Sequence, residues 1–512
     1  MKKQIILIIT LALPFIGFAQ DFSRENPEPE SFPFGEIGDT SRGVFGADDR
    51  IEATDAFGYA DYVRATAVMV PKKEVSGDKI YGYSLRDRLK FIYKTDKFDE
   101  NVKFLDQPTC GSCTGFLIAP DILVTAGHCI ETMEKANDYV WVFDYTTDKH
   151  HNSKRKYVTI PVKDQYTVKE IITAKYGKLS NMTDYSVLRL DRKTDREPYR
   201  FRTSGKIGLF NDVYMIGSPT GLPLKMADNA YVVSNTKEKW FKNNLDGFPG
   251  NSGGPVFNKT GFIEGIHVRG AVEEKHSKLT GDYYYDKDCD CVKTVEFNSA
   301  YSTGGSQAHR ITHTYSNSLD MAIYENIEYA IETKNNKRLD KWLVYQWILK
   351  HKYTEDRGRL EFVAIANNNL VALEKMLKIS KDYGLADKNG KTLLHHAVDA
   401  KNADLVSYLL KNGASPNVKD GNEKSALAYA AYSGNVDAVK TMLERGGKIE
   451  FSDRNGNTVL HNAILSGNRE IVRMLAMKGA NFKVKNYDGK NAKKLAKKNM
   501  SKDFAKYVKK AA

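Results

Sequence analysis

The chain has 512 residues, with 77 Lys and Arg against 64 Asp and Glu for a net charge of +13, and five cysteines. At about 100–200 residues per domain that length allows about three domains, and 41% apolar with 28% charged residues excludes a disordered or collagen-like chain. Five cysteines are too few for a disulfide-stapled miniprotein.

The first residues read as an address. Lys2 and Lys3 precede an apolar stretch from Ile5 to Phe18, and Gly17 and Ala19 supply small residues before Gln20. This predicts a signal peptide over residues 1–19, too short to span a bilayer, and a secreted or periplasmic protein. No later stretch has 18 consecutive apolar residues, so no transmembrane segment is expected in the mature chain. Residues 20–43 are rich in Pro, Gly and acids without helical or strand period, which predicts a propeptide or flexible leader.

From Val44 to about residue 310, short apolar runs alternate with turn residues, among them Gly115–Ile118, Ile122–Thr125, Tyr185–Leu190, Val213–Gly217 and Phe262–Val268. Many short strands over such a length predict an all-β barrel or sandwich. Leu319, Ile323, Ile327 and Ile331 then mark one face of a helix, closing a domain over 44–335. A helical linker follows over 336–356.

The remainder repeats. Thr392-Leu393-Leu394-His395-His396-Ala397, Ser425-Ala426-Leu427-Ala428-Tyr429-Ala430 and Thr458-Val459-Leu460-His461-Asn462-Ala463 are offset by 33 residues, and Gly413, Gly446 and Gly479 keep the register. This period and pattern resemble ankyrin repeats, an all-α solenoid of helix pairs expected over 357–512. The resemblance gives His395 and His461 a structural role in the turn before each first helix, and implies an unknown protein partner. From Lys490 to Ala512 nine lysines meet a single acid, Asp503. We read this tail as the solvated face of a capping helix; without aromatic or Arg-rich readout, no nucleic acid is expected.

Three pieces of the β-rich region carry chemistry. They are Cys113-Thr114-Gly115-Phe116-Leu117-Ile118 followed by Val124-Thr125-Ala126-Gly127-His128-Cys129, then Thr183-Asp184-Tyr185-Ser186-Val187-Leu188, and Pro249-Gly250-Asn251-Ser252-Gly253-Gly254-Pro255. A serine hydroxyl attacks a carbonyl only when a base takes its proton, which neutral imidazole does near pH 7. His128 is the candidate base, Asp184 the group that orients it, and Ser252 the nucleophile. The N–H groups of Gly250 and Ser252 are candidate oxyanion donors, one such donor contributing about 2.7–4 kcal/mol in the transition state.

The order His, Asp, Ser is that of the trypsin-like arrangement. Residues 44 to about 300 resemble the chymotrypsin family of serine endopeptidases, implying a double β-barrel with the triad between the barrels and protein or peptide substrates. Cys113 and Cys129 match that family's disulfide beside the catalytic histidine. Within the family, Val44-Phe45-Gly46-Ala47-Asp48-Asp49-Arg50 and Gly217-Ser218-Pro219-Thr220-Gly221-Leu222-Pro223 resemble the bacterial glutamyl endopeptidase branch. The GNSGGP box is also similar to periplasmic quality-control proteases, which carry PDZ domains not found in this sequence.

The resemblance implies two opposed specificities. Asp246 lies at the register of the trypsin acid that binds Lys or Arg. His267 falls where glutamyl endopeptidases bind a P1 glutamate, with Arg269 adding positive field. We favour an acidic P1, although Gly247 replaces the branch's threonine, and an apolar pocket around a core His267 stays open. Asn251 stands where trypsin has the aspartate that pairs with its new N-terminus, so that switch is not expected. Cleavage near Arg42-Gly43-Val44 is expected to supply the mature terminus instead. For the other cysteines we expect a second disulfide from Cys110 to Cys289 or Cys291. No cofactor and no metal are expected, since no H-E-x-x-H-like spacing appears. The rival class is a binding module built on the repeats, its peptidase domain idle.

Overall fold

The computed structural model describes residue 48 and residues 50–55, 63–147, 157–177, 183–270, 283–295, 305–314 and 316–511. The expected signal peptide and leader, 1–43, lie outside these residues, as do Val44 to Ala47.

Two seven-stranded antiparallel sheets form the β-rich half. The first runs, in spatial order, Val168–Tyr176, Asp184–Leu190, Ile122–Thr125, Cys113–Ala119, Thr66–Pro71, Tyr139–Phe143 and Gln165–Tyr166. Its outer strands are separated in the chain by Thr167 alone but do not pair among the described residues, so this sheet is a half-barrel. The second contains Ile51–Glu52, Lys225–Ser234, Asp212–Gly217, Pro255–Asn258, Ile263–Arg269, Ser306–Arg310 and Trp240–Asn243. Here Lys225–Ser234 also pairs with Trp240–Asn243, which closes a six-stranded barrel and leaves Ile51–Glu52 as an outside edge. The expected pair of barrels is thus a closed barrel and a half-barrel sheet.

β-Branched and aromatic residues fill these strands, as in Val140-Trp141-Val142-Phe143, buried throughout. All seven residues of Cys113–Ala119 are buried rather than alternate ones. Its outer side is covered by the helix Ser316–Glu332, where Asn326 Nδ2 donates to the Ile118 carbonyl at 2.7 Å. The helix therefore docks near the end of that strand farther from Cys113. Glu325 of the same helix binds Arg189 at 3.1 Å and Arg357 at 3.3 Å, tying sheet, helix and repeat region into one ion cluster.

The stretch after it is packed rather than open. Trp342, Tyr345 and Trp347 are buried, and the Tyr345 hydroxyl bonds both backbone groups of Phe201 at 3.1 and 2.8 Å. Helix pairs then stack: Leu360–Ala366 with Leu370–Ser380, Leu393–Asp399 with Ala403–Lys411, Ala426–Ser433 with Val436–Glu444, Val459–Leu465 with Arg469–Met477, and Ala492–Asn499 with Lys502–Ala511. Asn402, Asn435 and Asn468 cap the second helix of three successive pairs, which is the 33-residue period in physical form. His395 Nδ1 accepts the Thr392 N–H at 3.1 Å while Nε2 faces the Lys424 carbonyl of the next repeat at 3.0 Å; His461 does the same with Thr458 and Lys490. Both histidines are buried. In the last pair Ala492, Leu495 and Ala496 are buried while Lys494, Lys497 and Lys498 face solvent. No helix among the described residues is long and apolar enough to cross a membrane.

Candidate active site

His128 follows the strand Ile122–Thr125, and Asp184 opens the neighbouring strand, paired so that Ser186 faces Thr125. This register brings the two side chains together at two points. Asp184 Oδ1 accepts the His128 backbone N–H at 3.0 Å, and Oδ2 lies 2.8 Å from ring Nδ1. The carboxylate is almost covered, 6% exposed, while the imidazole keeps 30% of its surface open. A carboxylate at Nδ1 holds the proton there and leaves Nε2 basic, the tautomer required of a proton acceptor.

Ser252 lies in the loop between Trp240–Asn243 and Pro255–Asn258, fastened from both sheets. Thr114 of the first sheet donates its N–H to the Ser252 carbonyl at 2.8 Å and its hydroxyl to the Gly250 carbonyl at 2.7 Å. From the second, Gly253 N–H reaches the His267 carbonyl at 2.7 Å. Cys129, beside His128, has its Sγ 3.6 Å from the Ser252 carbonyl and forms a disulfide with Cys113. The histidine turn and the serine loop are therefore neighbours. Gly250 has φ +98°, and a Cβ there would lie 2.3 Å from the Ser218 carbonyl oxygen, so no side chain fits. Among the described residues the N–H groups of Gly250 and Ser252 bond to no acceptor, leaving them available to an anionic oxygen.

His267, on the strand Ile263–Arg269, is 1% exposed and its Nδ1 has no hydrogen-bond partner among the described residues. Burial first, and then the charge of His128, push its pKa down to about 4. Its ring packs on Gly247, where a Cβ would come 2.6 Å from His267 Cε1. A Cβ at 247 would also lie 2.8 Å from both Gly270 Cα and Ser306 Oγ, so a side chain here requires its surroundings to shift. Asp246 and Arg269 are both part-buried, and Asn251 Nδ2 donates to the Asp246 carbonyl at 3.3 Å. The fold thus brings His128, Asp184 and the Ser252 loop together, with His267 on the flanking strand. Thr114 is the residue sequence reading missed. Its only sequence signal is its place after Cys113.

The second disulfide is corrected. Cys289 bonds Cys291 within its own hairpin, and Cys110 is free and buried. Cys110 Sγ points at Gly82, where a Cβ would lie 2.5 Å away, and burial pushes its thiol up to about 11. Cys113, His128 and Cys129 have ligand atoms within 4.8 Å of one another, yet both sulfurs are spent in the disulfide, so the trio offers no thiolate to a metal.

Comparison with known families agrees with the fold of the two halves. Residues 113–266 match the trypsin-like peptidase domain, and residues 327–420, 360–453 and 414–486 match ankyrin repeats in three overlapping copies. The chain joins a trypsin-like peptidase domain to C-terminal ankyrin repeats. The peptidase match spans His128, Asp184 and Ser252 and ends one residue before His267. Delta-latroinsectotoxin-Lt1a of Latrodectus tredecimguttatus is 41% identical over 70 residues, covering 14% of this chain and 6% of that protein. The chain therefore spans only a small fraction of that relative.

Proposed function

We propose that the chain is a serine endopeptidase with His128, Asp184 and Ser252 as its catalytic triad. The observation that carries this is the double contact of Asp184 with His128 beside a serine loop whose two candidate oxyanion donors bond to no acceptor among the described residues. Ser252 Oγ attacks the scissile carbonyl and its proton passes to His128 Nε2. The carbonyl electron pair moves to the oxygen facing the Gly250 and Ser252 N–H groups. His128 then gives the proton to the departing amine, leaving an acyl-enzyme that water hydrolyses by the same steps.

The preferred P1 residue is acidic, as in the glutamyl endopeptidase branch. Its support is the buried imidazole of His267, whose Nδ1 has no hydrogen-bond partner among the described residues, on the strand that borders the serine loop. A P1 carboxylate beside that ring restores its proton affinity, so substrate and proton bind together. Export by the residue 1–19 signal, removal of residues 20–43, a peptidase domain over 44–335, a helical linker over 336–356 and a repeat domain over 357–512 that recruits a protein substrate or regulator complete the proposal.

Mass-spectrometric mapping of cuts in a proteome-derived peptide library tests it, with Ser252→Ala as control. Serine-dependent cuts after Glu or Asp are expected. Cuts after Lys or Arg would give the pocket to Asp246, and no serine-dependent cuts would favour a binding module built on the repeats.

A further inference from the structure

Arg50 is a cation 2% exposed, immediately before the edge strand Ile51–Glu52 of the second sheet. Its guanidinium lies 3.7 Å from the centroid of the Phe248 ring and 5.6 Å from that of Phe104. Asp48 meets it with two contacts, Nε to Oδ1 at 2.7 Å and Nη2 to Oδ2 at 2.6 Å. The segment is anchored independently of the serine loop. Ile51 and Glu52 pair with Met226 and Lys225, and the Glu52 carboxylate binds Lys225 Nζ at 2.9 Å.

Phe248 stands two residues before Gly250 and four before Ser252. Its carbonyl accepts the Asn251 N–H at 3.0 Å, closing the turn that carries both candidate oxyanion donors. The next carbonyl, that of Pro249, accepts Thr220 N–H at 2.5 Å. The ring is thus the side-chain handle of this turn, and the guanidinium is the flat surface on which it rests. A buried ion pair is no better for stability than apolar side chains of equal volume. A flat cation, unlike an aliphatic chain, holds an aromatic face at a fixed distance.

We propose that Arg50 is a positioning residue for the oxyanion loop: stacked on Phe248, it fixes the turn and thereby the aim of the Gly250 N–H. This rests on the peptidase reading given above. It also makes Asp48 and Arg50, close behind the expected processing point, part of the catalytic support.

The test compares wild type, Arg50→Met, the charge-neutral pair Arg50→Met with Asp48→Asn, and Phe248→Leu. Each is assayed on a peptide that wild type cleaves and with the matching peptide aldehyde. The aldehyde adds to Ser252 reversibly: the Oγ–C bond forms, the proton passes to His128 and the former carbonyl oxygen occupies the oxyanion position. Each variant should lose about tenfold to a hundredfold in kcat and in aldehyde affinity, with KM within about twofold of wild type. An Arg50→Lys variant, with charge but no flat face, should fall between wild type and Arg50→Met. If Arg50→Met does not fold, Phe248→Leu, which leaves the ion pair intact, carries the same expectation. Variants matching wild type in kcat and aldehyde affinity, or changed in KM alone, overturn the assignment only. A wild type that neither cleaves peptides nor binds aldehyde overturns the peptidase reading, and this assignment with it.

Discussion

Thr114 of the half-barrel sheet holds the backbone of Ser252 in the loop of the closed barrel, N–H to carbonyl at 2.8 Å. Its hydroxyl donates to the Gly250 carbonyl at 2.7 Å and accepts the Ser218 N–H at 3.1 Å. One buried side chain thus joins the strand that begins at Cys113, the serine loop and the strand that ends at Gly217.

Thr114→Val keeps the backbone bond and removes both hydroxyl bonds, leaving the Gly250 carbonyl and Ser218 N–H without this partner. We expect a loss of about 1–3 kcal/mol in stability by urea unfolding. We also expect kcat for peptide hydrolysis to fall more than KM rises. Unchanged kcat in a destabilised variant would limit Thr114 to a structural role.

Asp184→Asn tests the orientation of His128. An amide at this position can donate to Nδ1 and move the ring proton to Nε2, the nitrogen needed as base. The expected fall in kcat is about 10⁴-fold at neutral pH, measured on a peptide from the library experiment. A fall of less than tenfold would mean that His128 is not the base.

The sequence was most legible where function or stacking forces a short motif. Gly250 and Gly253 must turn with positive φ around Ser252, so the loop carries its glycines openly. The caps at Asn402, Asn435 and Asn468 recur because each repeat must start its second helix against the previous one. What was hidden depends on contacts between distant segments. Thr114 and Gly250 are 136 residues apart, and no spacing rule links them. The cysteine pairing failed for a similar reason. Cys289 and Cys291 face each other across a tight turn, while Cys110 is enclosed against Gly82 with no second sulfur in reach.

Acid should destabilise the peptidase domain. His267 and His309 are both buried, and burial pushes each pKa from 6.5 down to about 4. The unfolded chain then binds more protons than the folded one between these values. Their contribution is intact above about pH 6.5 and is lost as pH falls through about 4, each histidine contributing on the order of 3 kcal/mol. Thermal melting from pH 7.5 to 4.5 should show a falling Tm, with a shallower fall in His309→Phe. A Tm flat across this range would contradict the burial of these imidazoles.

Thiol counting checks the cysteine arrangement. Native protein should take up no iodoacetamide, because the Cys110 thiol is buried and raised to about 11. Denatured but unreduced protein should take up one equivalent, at Cys110. Peptide mapping should recover the Cys113–Cys129 and Cys289–Cys291 links. Two or more labels would refute the pairing.

His461→Ala separates the two halves of the molecule. It removes the cap on Thr458 and the bond to Lys490 of the next repeat, with an expected cost of about 1–3 kcal/mol to the repeats. Short peptides should still be hydrolysed at the wild-type rate, since the repeat region meets the peptidase domain at the helix Ser316–Glu332, through Arg357 to Glu325 and Asn369 to the Ile331 carbonyl, far along the chain from His461. A parallel loss of peptide hydrolysis would show coupling between the two halves.

The most direct test of the central claim is labelling with a fluorophosphonate, which reacts only with an activated serine. Intact mass and peptide mapping of the chain lacking residues 1–43 should show one adduct, on Ser252, absent in Ser252→Ala and slowed at least a hundredfold in His128→Ala. No adduct on the folded protein, or an adduct on another residue, would contradict the assignment of His128, Asp184 and Ser252 as a working triad.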